Sequence, residues 1–153
     1  VTILVALASR ADLTFLDGPT GGLDVVMREK FYRLLLDDFA QTGRTFVIST
    51  HIIEEAASVF ERVLILDQGH ITENSPTDEL LGQFRTVSGR ADQVDRACQG
   101  LAVLQAQDLG RRRTVTVRGG DTQLAALKDF DVDVEAVDLQ GVFVALCGHG
   151  EEI

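Results

Sequence analysis

The chain has 153 residues, of which 45% are hydrophobic and 25% charged, with only two prolines; this is globular composition without a disordered linker, enough for one ordinary domain or two small ones. Asp and Glu number 24 against 14 Lys and Arg, a formal net charge of -10 that opposes attraction to a phosphate backbone, so nucleic acid is not expected as a partner. Cys98 and Cys147 lie far apart in no metal-type spacing and read as free thiols, which fits the cytoplasm.

The opening apolar run, Val1 to Ala8, is far shorter than the ~20 residues of a membrane span and is predicted to be a buried helix ending near Arg10. Because the first residue is already inside that run, chain upstream of it is expected. The strand Leu13-Thr14-Phe15-Leu16-Asp17 then stops at the breaker group Gly18-Pro19-Thr20-Gly21-Gly22. Asp24 can cap a long helix whose apolar positions Val26, Met27, Phe31, Leu34 and Leu35 recur at helical spacing, and Gly43 ends it. The strand Arg44 to Thr50 follows, then His51 and a short helix through Ala57. Arg62 to Asp67, Gln68-Gly69 and His70-Ile71-Thr72 have the form of a hairpin, and Pro76 opens a helix from Thr77 to Gln83.

Continuous apolar strands joined by helices predict a mainly parallel sheet covered on both faces. The pattern changes near Gly82-Gln83-Phe84, which sets a domain boundary between residues 83 and 84. Beyond it come strand Thr86 to Gly89, helix Ala91 to Gln99, strands Ala102 to Gln107 and Thr114 to Arg118, helix Thr122 to Asp129 and strand Val132 to Val137. This is the βαββαβ order of a small α+β ferredoxin-like domain, closed by a helix from Leu139 to Cys147. Arg111-Arg112-Arg113 reads as a solvated hairpin turn, with a docking patch for an acidic partner as the sharper reading. His149 is expected to be exposed.

A carboxylate at the carboxyl end of a buried parallel strand sits where α/β sheets bind ligands, so Asp17 is a candidate to hold a water on Mg²⁺. His51, just past another strand end, could reach a γ-phosphate. The run from Leu13 to Asp24 resembles the Walker B motif and D-loop of ABC-transporter ATP-binding domains. Ser49-Thr50-His51 resembles their switch histidine, and Arg62 to Ile71 the hairpin that follows the switch.

The resemblance covers residues 1–83 and implies the C-terminal half of a P-loop NTPase-like domain, with residues 84–153 as an accessory domain. It implies Asp17, Asp24 and His51 as nucleotide-contacting residues, Asp24 across a domain interface, and Asp17 as the metal residue. In the intact parent it implies ATP and Mg as cofactors, ABC membrane subunits as partners, and a cytoplasmic location against the membrane's inner face.

Two departures matter. Gly18 stands where the family has the glutamate that polarises water, and losing a general base costs on the order of 10²–10⁴ in rate. No G-x-x-x-x-G-K-[S/T] loop and no signature motif occur anywhere in the chain, so nothing cradles the β- and γ-phosphates. The chain alone is therefore expected to bind no ATP or Mg and to be inactive. One reading is a fragment of an exporter-type ABC ATPase subunit; the other is a non-enzymatic interaction or dimerisation module descended from one. An uncovered apolar edge or face beside the Walker B strand, and a homodimer or swapped assembly, are expected on either.

Overall fold

Residues 2–54 and 57–148 are described by a computed structural model of the chain. His149 lies outside them. Two compact units divide between residues 55 and 56, so the boundary expected at residues 83 and 84 falls inside the second unit.

In the first unit, α1 (Thr2–Ala8) precedes β1 (Leu13–Asp17), α2 (Val25–Thr42) and β2 (Thr45–Ser49). The strands pair in parallel, in register from Leu13 with Thr45 to Asp17 with Ser49. Period-two alternation buries Thr14 and Leu16, whereas Leu13 and Phe15, on the opposite face, stay 50% and 71% exposed, as does Val47, the partner of Phe15, at 36%. The expectation of cover on both faces is thus corrected: this apolar face lies open.

Asp24 caps α2 by accepting a hydrogen bond from the Met27 amide at 2.8 Å, and Gly43 ends it in the left-handed region (φ 66°), its N–H bonded to the Phe39 carbonyl. The helix buries Phe31, Tyr32 and Leu35. Val26, Met27 and Leu34, expected on the buried face, are instead exposed. At about 100° per residue Val26 lies nearly opposite that stripe and Leu34 about a third of a turn from its centre, while Met27 sits in the first turn, beyond its end. Arg44 ties the unit together: its buried guanidinium pairs with Asp38 of α2, donates to the Leu7 carbonyl of α1 at 3.0 Å and lies 4.7 Å over the ring of Phe46 in β2.

The second unit begins with the antiparallel pair β3 (Arg62–Asp67) and β4 (His70–Pro76). Its two-residue turn needs left-handed backbone at both positions, and Gln68 (φ 46°) and Gly69 (φ 80°) supply it. Then come α3 (Thr77–Gly82), β5 (Phe84–Arg90), α4 (Ala91–Ala97), β6 (Ala102–Leu109), β7 (Arg112–Arg118), α5 (Asp121–Ala125) with a 3-10 turn over Ala126–Asp129, β8 (Asp133–Ala136) and α6 (Leu139–Cys147). The last four strands form one antiparallel sheet in the order β6-β7-β5-β8. Val87, Val115 and Val117 pack with Val94, Ala97 and Cys98 of the α4 region and with Leu124 and Leu127, which makes this unit's core.

Two further expectations are corrected. Residues 51–54 and 57–59 form irregular chain and turns rather than a helix, and among the described residues the parallel sheet extends no further than β1 and β2, with β3 paired to β4. A parallel strand is usually added through a helical crossover, whereas β3 is followed by a two-residue turn that pairs it with β4.

Candidate functional site

The carboxyl edge of the β1–β2 pair gathers the residues singled out in the sequence. Asp17 ends β1 and Ser49 ends β2; the Ser49 hydroxyl donates to Asp17 Oδ1 at 2.8 Å, and the Gly18 amide donates to the Ser49 carbonyl at 2.8 Å. The loop is thereby pinned to both strands at its origin. Gly18 has φ 52°, in the left-handed region that favours glycine, and a Cβ there would meet nothing within 4 Å.

The loop then winds tightly. Gly21 donates to the Gly18 carbonyl and Leu23 to the Thr20 carbonyl, both at 3.1 Å, and Gly22 is again left-handed at φ 77°. Thr20 is almost wholly buried, and among the described residues its hydroxyl has no hydrogen-bond partner. Asp24 closes the loop as the cap of α2, so its carboxylate is engaged with that helix. His51 stands two residues past β2 and is exposed, on the same edge as Asp17. The Ile52 amide donates to Thr50 Oγ1 at 3.0 Å, which turns the chain away behind the histidine.

Asp17 by itself does not make a magnesium site. Magnesium is held by near-octahedral oxygen ligands, commonly one or two carboxylates together with waters and substrate phosphates. Among the described residues no group of three or more His, Cys, Asp and Glu side chains could hold a metal, and one oxygen of Asp17 already accepts the Ser49 proton.

Away from this edge, Arg112 and Arg113 of the arginine run are matched by carboxylates of their own unit. Arg113 donates to Asp108 at 2.7 and 2.9 Å and to Asp95 at 2.6 Å, and Arg112 pairs with Asp133 at 3.3 Å. The hydrogen bond from Arg113 holds the Asp108 carboxyl below the usual range, and the two aspartates raise Arg113 further. This favours the solvated turn over a docking patch. Both cysteines are free; burial pushes the thiols of Cys98 and Cys147 up, aided by Asp95 and Asp67 respectively.

One polar contact was invisible in the sequence. Glu73 of β4 pairs with Arg118 of β7 at 3.1 Å with only 10% of its side chain exposed. A hydrogen bond from Ser75 lowers its carboxyl below the usual value, burial opposes this, and the Arg118 charge adds to the lowering. Nothing in the spacing of two residues so far apart announces the pair.

The fold and this edge define a mixed α/β protein with its candidate site at the carboxyl end of a parallel strand pair, the place where such sheets bind ligands. No family model matches the chain. Among curated proteins it is similar to a putative ABC transporter ATP-binding protein of Methanothermobacter thermautotrophicus, 30% identical over 108 residues, or 71% of this chain and 38% of the relative. It is also similar to the ABC transporter ATP-binding protein YtrB of Bacillus subtilis, 26% identical over 97% of this chain and 52% of the relative. A third, the taurine import ATP-binding protein TauB of Ruegeria pomeroyi, is 38% identical over 66 residues, 43% of this chain and 25% of the relative. The chain is a homologue of these ABC transporter ATP-binding proteins. It spans about half the length, or less, of the curated relatives it matches.

Proposed function

We propose that this chain is the second half of an ABC transporter ATP-binding subunit, with residues 1–83 carrying the Walker B strand, D-loop and switch histidine and residues 84–153 forming a ferredoxin-like accessory domain. The observation that carries this reading is the shared carboxyl edge: Asp17 closes β1, His51 follows β2, and Asp24 caps the helix leaving the loop between them. The accessory assignment is supported by the strand order β6-β7-β5-β8, which interleaves two βαβ units in one antiparallel sheet.

In the intact parent, Asp17 would hold a water on magnesium, His51 would meet the γ-phosphate, and Asp24 would work across the interface of two ATP-binding domains. That parent would act with membrane subunits at the cytoplasmic face of the membrane. Among the described residues no helix is long and apolar enough to cross a membrane. Two of the curated relatives are import proteins by name, for taurine and for aliphatic sulfonates, which does not favour an exporter type. The chain on its own has no phosphate loop, no signature motif, and Gly18 in place of a water-polarising glutamate. It therefore binds no Mg-ATP at micromolar concentration and releases no phosphate. Calorimetric titration of Mg-ATP into the purified chain tests this: a flat isotherm is expected, and micromolar binding would overturn it.

A second reading has its own support. Gly18 and the open apolar face of Leu13, Phe15 and Val47 favour a non-enzymatic dimerisation module, in which a second copy covers that face. Sedimentation equilibrium tests this reading: the module is a dimer at micromolar concentration, and a monomer would count against it.

A further inference from the structure

The β3–β4 hairpin and the four-stranded sheet are separate sheets with no ladder between them. Arg118 reaches both. Its Nη2 lies 3.1 Å from Glu73 of β4, and its Nε and Nη2 donate to Gln83 Oε1 at 2.9 and 2.7 Å, at the end of α3. The guanidinium also lies 5.3 Å over the ring of Phe84, the fully buried residue opposite it in the β5–β7 register.

The burial of Glu73 sets this contact apart from the exposed ion pairs of the same unit. In the Arg112–Asp133 pair both side chains are well exposed, 65% and 73%, and water can replace either partner. Glu73 is 10% exposed and Arg118 35%, so the carboxylate is better shielded than either partner of that pair, and the Ser75 hydrogen bond and the Arg118 charge favour its ionised form. Beside the hairpin, the Thr77 amide donates to the Glu61 carbonyl at 2.9 Å, and the Thr77 hydroxyl donates to the Phe60 carbonyl.

We propose that Arg118 is a positioning residue that couples the β3–β4 hairpin to the four-stranded sheet through Glu73 and Gln83, so that the two sheets open and close together. If the proposed function holds, the clamp joins the hairpin after the switch histidine to the accessory domain; the coupling itself does not depend on any nucleotide.

Hydrogen exchange followed by mass spectrometry on the whole chain tests it, comparing Arg118→Met and Glu73→Gln with Arg112→Met as a control. Amides of β3 and β4 are expected to exchange roughly ten- to a hundredfold faster in the first two variants, as loss of a charge-assisted hydrogen bond implies, with β5 and β7 unchanged and the control like wild type. Unchanged hairpin exchange, or equal acceleration of the hairpin and β5–β7, would overturn the proposal. Glu73→Gln keeps the side-chain shape, so it decides alone if Arg118→Met does not fold. Neither outcome alters the Mg-ATP titration, and the two tests can fail separately.

Discussion

The Ser49 hydroxyl donates to the Asp17 carboxylate across 2.8 Å, joining the last residues of two parallel strands that lie 32 positions apart in the chain. Both side chains are exposed, so water competes for each. Ser49→Ala is therefore expected to cost less than about 1 kcal/mol. Urea unfolding compared with wild type checks it, and a loss above about 2 kcal/mol would mean that the bond organises the whole loop.

Arg44 stands at the other extreme. Its guanidinium is 4% exposed and pairs with Asp38, so truncation strands a carboxylate that is itself largely covered. Arg44→Ala is expected to destabilise the first unit by about 3–5 kcal/mol, the range for breaking a buried pair. Fast hydrogen exchange through α1, α2 and β2, with the second unit unaffected, is the predicted signature.

Gly18 carries a backbone requirement. At φ 52° any L side chain is strained by about 1–2 kcal/mol, while the space around it is open. Gly18→Ala and Gly18→Glu should therefore destabilise equally in thermal unfolding. Gly18→Glu should not bring phosphate release to the isolated chain, because the phosphate loop is still lacking.

The clamp at Glu73 has a pH signature. Its carboxyl titrates below the ordinary value of 4.5, first through the Ser75 hydrogen bond and then, against burial, through Arg118. A lowered acid stabilises the fold fully above the ordinary value and loses that contribution as pH falls through the native one. The stability gap between wild type and Glu73→Gln should thus be constant above pH 4.5 and shrink on acidification below it. A gap that widened in acid would contradict the assignment.

Leu127 is fully buried in the core of the second unit with Val87 and Val117. Leu127→Ala is expected to cost about 2–5 kcal/mol, through lost transfer energy and the cavity left behind. Calorimetric melting of the second unit would show it.

Much of the fold was legible because local chemistry set it. Leu13 to Asp17 is an apolar run that meets glycine and proline; Asp24 and Gly43 bracket α2 with a side-chain cap and a left-handed stop; Leu139 to Cys147 became α6 as read. The order βαββαβ followed from period and turn signals. What failed depended on partners: Val26 and Leu34 have helical spacing yet face away from the buried stripe, and β3, apolar as it is, pairs with its own hairpin instead of extending the parallel sheet.

The sequence by itself determined the candidate site, because Asp17, Gly18, Asp24 and His51 take their places from strand ends and a helix cap, features encoded within a few residues of each. Tertiary structure alone decided that the hairpin stands in the second unit, that Glu73 meets Arg118, and that Leu13, Phe15 and Val47 lie open. The physical reason is that burial and ion pairing are set by what arrives from distant parts of the chain, and local pattern carries no record of that.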